Sequence, residues 1–425
     1  VKANQSVLQV FQSRKMAALL LLGFSSGLPL FLASRTLQVW MTEVGVDLGA
    51  IGWIGLVSLP YSLKFLWSPV LDRFVPPFMG RRRGWLIITQ ISLLLAIATM
   101  AMQKPATALQ LLAINALVIT FLGATQDIAG DAYRTDVLEP QELEAGASIW
   151  VFGYRVALLL TGSLTLFLAE YLPWPAVYLA MAGFMAIGII TSLWAPEPIF
   201  RARAPSSLLD AVYRPFQEFF QRMGGKAGSL IFLFILLYKL GDSLVGNMAF
   251  SFLIETGFSK SELAFVQGVM GFWATSVGIL VGGAVLLAIG INRSLWVFGL
   301  LQGLSNLGYF FLATVGKDSM LLVLAINLEN FCAGLVAAVA VAFIMSLCNH
   351  QFSATQFALL SSLMAVSRDI LSAPAGEIAK VTGWPNFFLL SLVATLPGLL
   401  LLPYVAPWNA PPIALAIADT EEKDF

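Results

Sequence analysis

The 425-residue sequence is poor in charge, in histidine and in cysteine. Asp, Glu, Lys and Arg make up 11% of it, against roughly a quarter in soluble domains. With 58% hydrophobic residues beside that scarcity, an ordinary soluble protein is excluded. A single histidine, His350, cannot assemble a His-based metal cluster, and no cysteine spacing suits zinc or haem attachment. Cys332 and Cys348 share one apolar stretch, about 24 Å apart if helical, too far for a disulfide. Net charge is zero, 24 basic against 24 acidic residues, which excludes a nucleic-acid binder working through a broadly cationic surface. No metal or organic cofactor is expected. No cleavable signal peptide is indicated: the apolar run after Lys2, Arg14 and Lys15 is too long and lacks an A-x-A site.

What is abundant points to a membrane. Twelve apolar stretches are long enough to span one: 17–41, 49–70, 84–103, 109–131, 147–171, 175–195, 228–254, 263–289, 294–314, 319–346, 355–381 and 385–405. The expected organisation is a six-helix bundle over 1–195, a linker over 196–227, a second six-helix bundle over 228–410 and an acidic tail over 411–425. Leu208–Arg222 in the linker reads as an amphipathic surface helix. Fifteen basic residues flank the spans on the side of the N-terminus and four on the other, which puts both termini in the cytoplasm. Span 1 exits through Glu43-Val44-Gly45 and span 7 through Glu255-Thr256-Gly257. Span 6 enters through Pro173-Trp174-Pro175 and span 12 through Gly383-Trp384-Pro385. With Arg155 in span 5 matched by Arg368 in span 11, offsets of 210 to 213 indicate a duplicated six-helix unit. The expected fold is all-α and polytopic, with the two-bundle arrangement of major facilitator transporters.

Charges inside spans cost roughly 2.5–3.5 kcal/mol each and need a partner or a wet site. Five cations fall there: Arg35, Lys64, Arg155, Lys239 and Arg368. Lys64 and Asp127 lie at similar depth and can bridge; Lys239 and Asp242, three apart, can pair on one helix. Arginines without a sequence-local partner suit bidentate recognition of carboxylates. The five cations are therefore candidate substrate contacts, together with Gln126, Tyr238 and Gln356. Further candidates for sugar faces and amides are Trp40, Trp53, Tyr61, Tyr154, Asn247 and Asn327. His350, at the end of span 10, reads as solvated and uncoupled, so proton coupling falls to a carboxylate. Asp127 is best placed, followed by Asp131 one turn on, Asp242 and Glu329.

The loop from Ser68-Pro69-Val70-Leu71-Asp72-Arg73 to Gly80-Arg81-Arg82-Arg83-Gly84 resembles the major facilitator loop signature, with serine where glycine is usual. Its expected role is a charge latch for gating: Asp72 capping a helix N-terminus, with Arg73, Arg81 and Arg82 holding that side.

Particular strings resemble the muropeptide permease (AmpG) family. They include Gly23-Phe24-Ser25-Ser26-Gly27-Leu28-Pro29-Leu30, Lys64-Phe65-Leu66-Trp67-Ser68-Pro69, Thr125-Gln126-Asp127-Ile128-Ala129-Gly130-Asp131-Ala132 and Leu237-Tyr238-Lys239-Leu240-Gly241-Asp242. Arg134-Thr135-Asp136-Val137-Leu138 and Phe352-Ser353-Ala354-Thr355-Gln356 extend the match along the chain. The resemblance implies proton symport of anhydro-muropeptides, GlcNAc–1,6-anhydroMurNAc with or without stem peptide, across a bacterial inner membrane. It also implies a role in peptidoglycan recycling, upstream of β-lactamase induction and antibiotic resistance, and a monomer is expected. A same-fold carrier of another anionic metabolite, or an exporter or antiporter, stays open. A membrane-embedded enzyme is disfavoured by the lack of any metal-ligand or acid–base constellation.

Overall fold

The computed structural model describes residues 13–46, 55–105, 108–198, 207–372 and 374–409. The acidic tail and Trp53 therefore lie outside the described residues, as does the side chain of Arg35. Those described form helices and short connections, with no strand among them.

Nine helices among the described residues are long and apolar enough to cross a membrane. They are Arg14–Glu43, Arg81–Ala101, Leu109–Val137, Pro140–Tyr171, Trp174–Trp194, Gly225–Glu255, Phe265–Val315, Ser319–Leu347 and Trp384–Val405. The 51-residue Phe265–Val315 is two spans, because Gly290 breaks it with a φ of 79° that only glycine adopts readily. Span 2 is fractured into Gly55–Ser58, Leu59–Leu63, Lys64–Leu66 and Ser68–Arg73, where Pro60 and Pro69 each remove a main-chain donor. Span 11 is interrupted too: Ser353–Val366, a wide turn at Ser367–Leu371, then Ala375–Thr382 after Pro374. With these, the twelve spans of the major facilitator fold are accounted for.

Interruptions fall at corresponding places in the two halves. Span 1 breaks at Ser34, and span 7 breaks between Leu237 and Leu240. Span 5 carries an i→i+5 turn at Leu160–Leu164 and span 11 one at Ser367–Leu371. Paired interruptions of this kind mark where transporters place their binding groups.

The chain forms two compact units: residues 1–138, 149–216 and 348–359 in one, residues 139–148, 217–347 and 360–425 in the other. In the first, the Trp174 indole donates to Glu43 Oε2 at 2.6 Å, beneath a stack of Trp40, Trp174 and Tyr178. In the second, Trp384 donates to Glu255 Oε2 at 2.8 Å and stacks on Phe388, itself stacked on Tyr309. The duplicated Glu and Trp motifs thus make the same pin twice, fastening span 1 to span 6 and span 7 to span 12. Trp40, a candidate for sugar contact, belongs to this packing.

Within the second unit, spans 8 and 10 meet through reciprocal glycines: a methyl at Gly278 would collide with the Phe331 carbonyl, and one at Gly334 with the Thr275 carbonyl. Close helix approach through small residues replaces the hydrophobic effect that lipid does not supply. Since the obstacle is backbone, Gly278→Ala is expected to destabilise by about 1–3 kcal/mol. The check is a lower melting temperature in detergent; an unchanged one would show the helices separate freely here.

The linker helix, Leu208–Met223, is present and two-faced: Ala211 and Phe219 are buried, Val212, Tyr213 and Phe216 exposed.

Candidate functional site

Two clusters gather the buried charged side chains of the first unit. The deeper one lies where fractured span 2 meets span 4. Span 4 brings Asp127, Asp131 and Arg134 onto adjoining positions of one helix, and the short turn Lys64–Leu66 delivers Lys64. Asp131 is the hub: Lys64 Nζ donates to Oδ2 at 2.9 Å and Arg134 donates to Oδ1 at 2.9 Å. The Arg134 guanidinium is held between the rings of Trp150 and Phe357, 4.9 Å from each centroid.

This corrects two expectations. Lys64 does not bridge to Asp127 but to Asp131, one turn further along; depth counted from span ends cannot resolve one helical turn when span 2 is not a regular helix. Arg134, one of the fifteen basic residues counted as flanking the spans on the side of the N-terminus, is 1% exposed. Its ion pair is an i,i+3 one, legible in the string Asp131-Ala132-Tyr133-Arg134.

Asp127 stands apart from that pair. Its Oδ1 is buried with no hydrogen-bond partner among the described residues, as is the hydroxyl of Tyr61. Lys64, Asp131 and Arg134 all act on Asp127 electrostatically, and Ser26 lies against it. Gln126, next to it and fully buried, donates to Ser25 Oγ at 3.1 Å.

The second cluster sits at the end of the bundle that bears the loop between spans 2 and 3. Asp72 is 0% exposed. Its Oδ1 accepts from Arg81 at 3.1 Å and from Arg82 at 3.0 Å; its Oδ2 accepts from Thr355 N at 2.8 Å and Thr355 Oγ1 at 2.7 Å. The aspartate thereby caps the helix Ser353–Val366 from 283 positions away. Arg82 continues to Asp136 Oδ2 at 2.6 Å, which also accepts from Ser353 Oγ at 3.0 Å. Arg73 stands outside this web, over the Phe74 ring. Arg83 donates to the carbonyls of Ser192 and Leu193 at the end of span 6. Glu197 accepts from the main-chain N–H groups of Arg82 and Arg83. Burial nonetheless holds the Glu197 carboxyl above its usual range.

His350 is not uncoupled. Its Nδ1 lies 3.4 Å from Asp136 Oδ1, and the hydrogen bond to that carboxylate raises the imidazole above its ordinary value. A raised folded value means stability from this group is present below about pH 6.5, the free-histidine value, and is lost as pH rises through the folded one. With the ring 65% exposed the increment is small. A His350→Gln variant is expected to lose the slightly higher melting temperature the parent shows at pH 6 relative to pH 8. Equal pH dependence of the two proteins would remove His350 from the cluster's energetics. Asp136 and Ser353 were missed in the sequence and His350 read as uncoupled, because Ser353 and His350 meet Asp136 from 217 and 214 positions away.

In the second unit, Lys239 sits at the break in span 7, 3.6 Å from Asp242. Asp242 Oδ1 also accepts from Gln302 at 2.9 Å. Tyr309 feels the charges of both Asp242 and Glu329. The Tyr238 hydroxyl donates to the Leu295 carbonyl, its ring packed against Gly299 and its main chain against Gly398. Gln356, in the first unit, donates to the Pro215 carbonyl and accepts from Asn349 N. Tyr238 and Gln356 are thus engaged by main chain and are not carried forward as substrate contacts. Arg155 is half-buried one turn before the wide turn of span 5, and Arg368 is exposed within that of span 11.

A family model described as Major Facilitator Superfamily matches residues 19–370. The chain is 47% identical over 401 residues to the anhydromuropeptide permease of Escherichia coli K12, covering 94% of this chain and 81% of that protein. It is similar in structure to the human organic anion transporter MFSD10 (TETRAN), with a TM-score of 0.67 at 17% identity over 92% and 99% of the two chains. A similar match is the proton:xylose symporter XylE, TM-score 0.68 at 10% identity over 93% and 94%. At such identities the structural matches speak for the fold alone.

Proposed function

This chain belongs to the major facilitator superfamily, within its anhydromuropeptide permease family, and from that premise we propose proton-driven import of anhydro-muropeptides into the cytoplasm. It is a multi-pass membrane transporter and not an enzyme. The substrate reading is GlcNAc–1,6-anhydroMurNAc, with or without stem peptide, taken up through the inner membrane for peptidoglycan recycling. Both termini are assigned to the cytoplasm. With the three buried arginines Arg81, Arg82 and Arg134 set aside, twelve basic residues still flank that side against four. The carrier is taken as a monomer.

The observation that carries the coupling is Asp127, a buried carboxylate on span 4 with one oxygen unpartnered, beside an ion-paired cluster. Asp131 is held by two cations, and Asp242 by Lys239 and Gln302, so both are already committed as acceptors. Asp127 is the group free to gain a proton on one side and release it on the other. Arg35, Arg155 and Arg368 supply the cations for the substrate's carboxylates, near the paired interruptions of spans 1, 5 and 11; Lys64 and Lys239 order the acids around them.

Proteoliposomes test this directly. Labelled anhydro-muropeptide should accumulate under an inward proton gradient, and Asp127→Asn should cut accumulation at least about tenfold while leaving substrate counterflow in place, a loss of about 1.4 kcal/mol or more in coupling. Gradient-independent uptake by the parent protein would overturn the coupling, and accumulation of an unrelated anion in preference to muropeptide would overturn the substrate.

A further inference from the structure

We propose that Tyr61 is the positioning residue for Asp127, its hydroxyl serving as the hydrogen-bond partner of that carboxyl in both protonation states. The proposal rests on Asp127 being the proton carrier. Gly123 and Asp127 lie one turn apart on span 4 and so share a face. The Tyr61 hydroxyl occupies the notch that Gly123 leaves: a Cβ there would collide with the phenol oxygen and meet Pro29 Cβ at 3.0 Å. Fractured span 2 thus directs this phenol at span 4, one turn from the carboxylate, and the charge of Asp127 acts on it.

Tyr61 Oη and Asp127 Oδ1 are each buried, and neither has a partner among the described residues. Isolated polar groups in such surroundings are costly. The two are complementary, either directly after a small side-chain rotation or through one shared water. The charged groups facing Asp127 cannot serve both of its states. Lys64 and Arg134 are donors only, able to meet a carboxylate but not a carboxylic acid's O–H; Asp131 is engaged by those two cations. Ser26, a hydroxyl on span 1, also interacts with this carboxyl, yet Oδ1 is left without a partner; Tyr154 faces Tyr61 from span 5.

A hydroxyl can reverse its role. With Asp127 ionised, the phenol O–H donates to Oδ1. When the transported proton arrives it binds Oδ1, and the new O–H donates to the phenol oxygen, whose own hydrogen rotates away. Tyr61 gains and loses no proton; the whole charge change is on Asp127. The donation to the ionised state is charge-assisted and the stronger of the two, so the phenol eases proton release.

Tyr61→Phe keeps the ring and removes the role. Proton-driven uptake of labelled anhydro-muropeptide should persist, but the pH of half-maximal uptake should move upward by about one unit, because the ionised state has lost its donor. The KM should stay within about twofold of the parent's. Gly123→Ala, which displaces the phenol without altering it, should move the profile in the same direction and provides the test if Tyr61→Phe does not fold. An unmoved pH profile in a folded variant, with Asp127→Asn uncoupled, would overturn the role of Tyr61 alone. Gradient-driven uptake surviving in Asp127→Asn would overturn the carrier reading beneath it.

Discussion

Asp72→Ala is expected to destabilise the protein by about 3–5 kcal/mol, since it strands buried charges that the aspartate neutralises. Four hydrogen bonds converge on that carboxylate, from two arginines and from both donors of Thr355. Without it, Arg81 and Arg82 lie side by side in a buried site with Asp136 as the remaining acid against Arg82. The cap on Ser353–Val366 is lost as well. Asp72→Asn should fall between, because its amide oxygen can still cap Thr355 N but carries no charge. The native cysteines report the consequence: Cys348 begins the segment that clusters with the first unit, whereas Cys332 is buried within span 10. Maleimide labelling of Cys348 should accelerate in Asp72→Ala relative to Cys332, and transport should drop with it. Unchanged labelling together with parental stability would mean the cluster holds nothing in place.

The second large effect is expected at Asp131. Asp131→Ala leaves Lys64 and Arg134 both buried without their shared acceptor, and a loss of about 3–5 kcal/mol is expected. Lys64→Met should cost less, because Arg134 still satisfies Asp131 and the methionine fills the same space. The two substitutions touch one network, so the double variant should deviate from additivity by about 0.5–3 kcal/mol. Melting in detergent across the cycle measures this. Additive losses would show that the 2.9 Å contact between Lys64 and Asp131 contributes nothing of its own. Arg134 is expected to stay in place throughout, clamped by Trp150 and Phe357.

Much of the architecture was legible from composition and repetition. Length and apolarity of the spans, the paired Glu and Trp motifs, the linker helix and the Lys239–Asp242 pair each depend on residues near one another in sequence or on a fixed repeat. The Asp72 cap was foreseeable in kind, since an aspartate among arginines at a loop needs a donor, but not in its target. Span 2 was harder: Pro60 and Pro69 signal breaks, yet where Lys64 lands after two short helical segments cannot be computed from a regular rise per residue.

Lys64 is where the two levels part. Its presence inside a span, and its need for an acid, follow from sequence and the cost of burying charge. Which acid it meets is a matter of one helical turn, and only packing against span 4 decided for Asp131. That choice leaves Asp127 Oδ1 without a partner among the described residues, the observation on which the proposed proton carrier rests. Scarcity of charge was a property of the chain; the assignment of each charge to a partner was a property of the fold, because buried electrostatics depends on distances of a few ångströms between residues dozens to hundreds of positions apart.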